Sequence, residues 1–153
     1  MAVIHVYTDG AARGNPGKGG YGIVLLSGSH RKEMSQAFRL TTNNRMELLA
    51  VIVALESLKP GDHQITIYSD SKYVVDAFLK RWIDGWVRKN WDKVKNPDLW
   101  QRLLPLYKKL KPQFVWVKGH ASNPMNNRCD ELATVAADQG PWLIDSVYEA
   151  TNR

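Results

Sequence analysis

Four acidic side chains and one histidine stand where their types and spacing could do chemistry. Asp9 closes an apolar-rich run, Val3 to Thr8, and Asp70 closes a β-branched run, Gln64 to Tyr68. Ligands of open α/β sheets collect outside the carboxyl ends of parallel strands, so two neighbouring strands would bring Asp9 and Asp70 together. Each also has a plainer reading, Asp9-Gly10 as a turn and Asp70 as the N-cap of a helix beginning at Ser71. Glu47 shares a helix face with Ala50, Val51, Ala54, Leu55 and Leu58. A carboxylate at the head of an apolar stripe is costly unless it is paired or bound to a cation. The competing reading is a capping box in which Glu47 reaches back to Asn44. Asp130, beside Glu131, opens the last helix, where one of the two could instead favour the positive helix terminus. His120 lies in the loop Gly119 to Pro124, just after a strand, and reads either as an acid–base group or as a surface histidine.

Taken together, these groups describe one kind of site. Two unit charges about 4 Å apart repel by about 4 kcal/mol at an effective dielectric near 20, so clustered carboxylates persist only around a cation. All-oxygen ligation suits Mg²⁺ or Mn²⁺, and two such ions can clamp a phosphodiester for in-line attack by water.

The elements that must carry these residues can be read from period and punctuation. Val3 to Thr8, Tyr21 to Leu26 and Glu33 to Leu40 read as three strands of an antiparallel meander, the last two joined around Gly28. Residues 10 to 22 hold six of the eleven glycines and read as a loop. Arg45 to Lys59 reads as a helix between Thr41-Thr42-Asn43-Asn44 and Pro60-Gly61. Gln64 to Tyr68 is a strand and Ser71 to Leu79 a helix. Helical pieces follow, broken near Asn96-Pro97. Leu99 to Leu110 is helical, with Pro105 expected to kink or shorten it. Phe114 to Lys118 is a strand, and Asn126 to Asp138 a helix stopped by Gly140-Pro141. The order βββαβα, insertion, βα predicts an α/β fold. Its sheet is mixed and five-stranded, three antiparallel strands then parallel ones, with helices on both faces. One domain over 1–153 is expected, with 80–98 as an insertion and 141–153 as a loose tail.

Composition narrows the classes further. The chain has 153 residues, is 44% hydrophobic and 24% charged, and carries a single cysteine, Cys129. That excludes an intrachain disulfide framework and a Cys-rich zinc site. No apolar run reaches membrane-spanning length and no secretory signal opens the chain, so a cytoplasmic protein is expected. The net charge of +6 is unevenly spread. Residues 80 to 118 carry eleven basic and three acidic side chains, a net +8, and leave −2 on the other 114 residues. The same window holds five of the six tryptophans, Trp82, Trp86, Trp91, Trp100 and Trp116. A basic, aromatic surface suits a nucleic-acid backbone, although Trp82 and Trp86 are one helical turn apart and could also be core. Gly17-x-Gly19-x-x-Gly22 matches a dinucleotide fingerprint as a string, but it runs into a strand rather than opening a helix. Cys129, on an Ala-rich helix, reads as a small buried residue.

Five ordered motifs carry a resemblance. They are Thr8-Asp9-Gly10 with Gly14-Asn15-Pro16-Gly17, Thr42-Asn43-Asn44-Arg45-Met46-Glu47, Ser69-Asp70-Ser71, Trp116-Val117-Lys118-Gly119-His120, and Asn127-Arg128-Cys129-Asp130-Glu131-Leu132-Ala133. Over roughly residues 3 to 138 the chain closely resembles the bacterial type 1 ribonuclease H family. The resemblance implies an endonuclease that hydrolyses the RNA strand of RNA–DNA hybrids, leaving 5′-phosphate and 3′-hydroxyl ends. It implies Asp9, Glu47, Asp70 and Asp130 as ligands of Mg²⁺, with two ions during catalysis and Mn²⁺ as a substitute. It implies His120 as the residue that helps activate water or release product. Substrate contacts are implied for Gly10, Asn15, Thr42, Asn43, Asn44 and Lys72. A basic handle, 80–98, is implied to grip the DNA strand through Trp82, Trp86, Arg88, Lys89 and Trp91. Ala12 and Lys72 stand where relatives often carry Cys and Gln, and the stretch from Trp91 to Leu99 is shorter than theirs. A monomer without an obligate protein partner is expected. The alternative from another class is a catalytically silent hybrid-binding module, whose mark would be a missing metal-binding carboxylate; all four are present.

Overall fold

The computed structural model describes residues 2–118 and 123–151. Its strands are β1 (Ala2–Arg13), β2 (Gly17–Ser27), β3 (His30–Thr41), β4 (His63–Ser69), β5 (Gln113–Trp116) and β6 (Trp142–Leu143). Its helices are α1 (Asn43–Glu56), α2 (Lys72–Leu79), α3 (Trp82–Arg88), α4 (Pro97–Leu110), α5 (Pro124–Gln139) and α6 (Ser146–Thr151). The strands form one mixed sheet in the order β5-β4-β1-β2-β3-β6. The expected meander is there: β1, β2 and β3 pair antiparallel, and a two-residue turn at Gly28-Ser29 brings Ser27 opposite His30. Gly28 adopts φ +59, the left-handed conformation that a glycine takes without steric cost. β1 pairs parallel with β4, and β4 with β5.

Three expectations are corrected. The sheet has six strands rather than five, because Trp142-Leu143 pairs parallel with Ala37-Phe38 of β3. The region 141–153 is therefore no loose tail over its described part. After β6 it continues into α6, and Asp145 between them is buried and ion-paired to Arg45.

The glycine-rich segment 10–22 is not a loop either. β1 runs straight through Asp9-Gly10 to Arg13, turns at residues 14–16, and returns as β2. The glycines serve close packing instead of turning. A β-carbon on Gly20 would lie 2.6 Å from the carbonyl oxygen of Ala133, and one on Gly22 would lie 2.2 Å from that of Cys129, so α5 rests on bare backbone. A β-carbon on Gly19 would meet Thr41 and Met46 instead. Because successive strand residues face opposite sides, this alternation places α1 and α5 on opposite faces of the sheet.

α1 is the central helix, lying between the sheet and α4, and ten of its fourteen residues are buried. It therefore has no single apolar stripe. Its first turn is capped by the Thr42 hydroxyl, which accepts from Arg45 N. α4 continues through Pro105 to Leu110. The proline removes one backbone donor, and the lost partner would be the carbonyl of Gln101, an exposed residue. Among the described residues, no helix is long and apolar enough to cross a membrane.

Candidate active site

The parallel ladder between β1 and β4 ends at the pair Tyr7–Tyr68. Asp9 and Asp70 follow just beyond it, as the strand-end reading requires. Glu47, on the second turn of α1, reaches the same place. Asp9, Glu47 and Asp70 each offer a carboxylate oxygen, and the three oxygens lie within 4.8 Å of one another. Asp9 and Glu47 are buried and Asp70 is half-buried.

The plainer readings of these residues fail on geometry. Asp9-Gly10 is paired strand, with Asp9 opposite Gly22 and Gly10 opposite Tyr21. The N-cap of α2 is Ser71, whose hydroxyl accepts from Val74 N, so Asp70 is not needed there. Thr42, not Asn44, caps α1, which leaves Glu47 outside any capping box. Glu47 Oε1 is buried and has no hydrogen-bond partner among the described residues.

Electrostatics agree with a site built for positive charge. Burial, the neighbouring charge of Asp70 and, more weakly, that of Asp130 push Asp9 up to about 7, against opposing hydrogen bonds from Glu47 and the Gly10 amide. Burial first, then the Asp9 carboxylate, drives Glu47 well above the usual carboxylate range. A buried acidic cluster with an orphaned oxygen and only oxygen donors fits a hard divalent cation. Asp130, half-buried on α5, lies outside the close trio but adds to the field on Asp9. His120 falls outside the described residues.

The proposed substrate contacts divide into two groups. Near α1, the backbone amide of Gly10 donates to Asp9 Oδ1 at 2.9 Å. Asn15 Oδ1 accepts from the Asn43 amide at 3.1 Å, while Asn43 Oδ1 accepts from the Ala12 amide. Asn15, Thr42 and Asn44 line one open cavity of about 590 Å³ together with Lys95 and Tyr148. Lys72 extends over the exposed Trp116 ring, 4.8 Å from its centre, and the Trp116 indole N–H donates to the carbonyl of Asp70.

In the basic window the tryptophans separate by role. Trp100 is fully buried, and Trp86 packs on it with ring centres 5.0 Å apart. Trp91 also leans on the core, whereas Trp82 is exposed beneath Lys80. Arg88 and Lys89 are exposed. Cys129 is buried, which pushes its thiol up and leaves it unsuited to nucleophilic work.

Two residues take roles that the sequence did not assign to them. Arg45 is only 4% exposed and bonds to both Asp98 and Asp145. Asn126 is buried on α5 and donates its amide to the carbonyls of Thr8 and Tyr68. A signal existed for Asn126. It continues the buried stripe Cys129, Ala133, Ala137 by one turn, a polar residue in an apolar row much as Glu47 is.

The chain is similar to known proteins over most of its length. The RNase H family model matches residues 1–138. A ribonuclease H of Desulforamulus reducens is 55% identical over 147 residues, spanning 93% of this chain and 92% of the relative. A ribonuclease HI of Shewanella oneidensis is 50% identical over 155 residues, spanning 98% and 97%. Among solved structures, LC11-RNase H1 in complex with an RNA/DNA hybrid superposes with a TM-score of 0.64 at 32% identity, over 89% of this chain and 97% of that one.

Proposed function

The chain belongs to the ribonuclease H family, and from that premise we propose how its own residues carry out the family's reaction. It is a divalent-metal-dependent endoribonuclease that acts on the RNA strand of RNA–DNA hybrids. Asp9, Glu47, Asp70 and Asp130 would hold the cations, two during catalysis and Mg²⁺ in the cell, with Mn²⁺ able to substitute. A cation held by these residues would supply Lewis-acid stabilisation of the phosphodiester and lower the pKa of the attacking water. The observation that supports this most is the convergence of Asp9, Glu47 and Asp70 around the unpartnered Glu47 oxygen.

The rest of the reaction falls to binding and proton handling. Burial and mutual repulsion raise both Asp9 and Glu47, so protons and a cation would compete for these two carboxylates. His120 acts in water activation or product release, a contribution typically about 10²–10⁴-fold. Gly10, Asn15, Thr42, Asn43, Asn44 and Lys72 meet the substrate strands around the cluster. Contacts to the 2′-hydroxyl are what tell RNA from DNA. The basic window from Lys80 onward grips the DNA strand through Trp82, Arg88 and Lys89, with Trp86 and Trp91 packing the window onto the core, and cleavage leaves 5′-phosphate and 3′-hydroxyl ends. We place this activity in the cytoplasm and in a monomer.

The test uses end-labelled RNA–DNA hybrid, duplex RNA and duplex DNA with Mg²⁺ or EDTA, beside Asp9→Asn. Cleavage confined to the RNA of the hybrid, and lost in EDTA and in the variant, is the expected result. Tight hybrid binding without cleavage would select the silent binding module instead.

A further inference from the structure

Asp9 on β1, Asp70 just past β4 and Asp130 on α5 come from three separate elements, and among the described residues the ladder between β1 and β4 stops short of both aspartates. The last paired rung between β1 and β4 is Tyr7–Tyr68, and beyond it the strands carry Asp9 and Asp70, whose like charges push them apart. Asn126 spans this gap. Its amide nitrogen donates to the carbonyl of Tyr68 at 3.1 Å, two residues before Asp70, and to that of Thr8 at 3.4 Å, one residue before Asp9. The same side chain stands one helical turn ahead of Asp130 on α5, at the i, i+4 spacing that places both on one side of the helix.

The chemistry of that position is restrictive. Both partners are carbonyls and can only accept, so the side chain must supply two N–H groups from one atom. An Asn amide does so without bringing charge into a buried place. A hydroxyl has one proton to give, and a carboxylate has none. α5 is also pressed close here, because Gly22, directly across the ladder from Asp9, has no side chain to hold off the Cys129 carbonyl.

We propose that Asn126 is a positioning residue for the acidic cluster, its amide clamping β1 beside Asp9 to the end of β4 beside Asp70 from α5, so that these two carboxylates stay at cation-binding separation with Asp130 one turn further along the same helix. The proposal rests on reading the cluster as the metal site. It predicts that loss of the clamp is felt in metal affinity before it is felt in substrate affinity. Second-layer partners of metal ligands typically set affinity or activity by about 10- to 100-fold.

The experiment compares wild type, Asn126→Ala and the apolar near-isostere Asn126→Leu, with Ala137→Gly as a variant that weakens α5 eleven residues further along. Three quantities are read on EDTA-stripped protein: Mn²⁺ affinity by calorimetry, urea midpoint, and hybrid affinity in EDTA. Expected is a Mn²⁺ Kd weakened about 10- to 100-fold in both Asn126 variants, with hybrid affinity in EDTA at the wild-type value and Ala137→Gly at the wild-type Mn²⁺ Kd. Wild-type Mn²⁺ affinity in Asn126→Leu would overturn the clamp, as would an equal loss in Ala137→Gly at a similar urea midpoint. Should wild type itself bind no Mn²⁺ and cut no hybrid, the reading of the cluster fails, a result distinct from failure of the clamp.

Discussion

The backbone of Glu47 occupies the space that a side chain on Gly10 would fill: a β-carbon at Gly10 would lie 2.5 Å from the Glu47 nitrogen and 2.6 Å from the Met46 carbonyl carbon. The bare strand is what lets α1 bring its carboxylate to Asp9. Gly10→Ala is expected to push α1 outward, lowering stability by about 1–3 kcal/mol and cutting cleavage by about 10²-fold through misplacement of Glu47. Urea unfolding and steady-state cleavage of a hybrid check both. A fully active Gly10→Ala would show that the helix has room to yield.

Metal-free protein should grow more stable as pH falls from 8 to 5. Asp9 sits at about 7 in the fold against 3.8 for an ordinary aspartate, and Glu47 is raised as well. A carboxyl raised on folding takes up a proton, so its penalty is complete above the folded value and is relieved as pH falls through it. Carboxylates held low by arginines, such as Glu33 at about 2, act in the opposite sense but only below their ordinary range. Between pH 8 and 5 the cluster therefore dominates. Thermal melts in EDTA should show Tm rising as pH falls, and Asp9→Asn should be more stable than wild type at pH 8 while losing cleavage. A flat or reversed profile would mean that the carboxylates do not share a site.

Removing Arg45 should be among the most damaging changes away from the carboxylates. It holds Asp98 and the buried Asp145, and Asp145 also accepts from the Thr41 hydroxyl at 2.7 Å. Taking one partner out of a buried ion pair leaves an uncompensated charge, at a cost of about 3–5 kcal/mol. Arg45→Ala should lose that much in urea unfolding and expose residues 142–151 to limited proteolysis. A loss below about 1 kcal/mol would place the group in the class of exposed pairs.

Stability and binding should come apart within the basic window. Trp86→Ala removes a ring packed on Trp100 and should lower the Tm, whereas Trp82→Ala should leave the Tm alone and weaken hybrid binding. Neutralising Arg88 and Lys89 together should flatten the salt dependence of log Kd by roughly 0.9 for each phosphate no longer neutralised. An unaltered slope would remove these side chains from the binding surface.

Much of this protein was legible without coordinates. An aspartate at a strand end has a plainer reading as a turn or a cap, and it was the repetition in Asp9 and Asp70, taken with Glu47, that pointed to a site. Glu47 announced itself by standing among apolar residues, since burying a carboxylate has to be compensated. The localised charge from Lys80 to Lys118 needs no fold to be seen. Other features depend on contacts between residues far apart in the chain. Glycines 10, 19, 20 and 22 look like loop until the helices that crowd them are in place, because closeness of approach leaves no local mark. The pairing of Trp142-Leu143 with β3, and the bond from Arg45 to Asp145 a hundred residues later, join segments far apart in the chain. Asn126 shows in sequence only as a polar residue in an apolar row, and its partners, the carbonyls of Thr8 and Tyr68, appear only in the fold. The sequence by itself determined which residue types were available for metal and nucleic-acid chemistry, since charge, periodicity and strand ends are local properties. Only the tertiary structure decided how near they come, because distance across a sheet is fixed by what every other element allows.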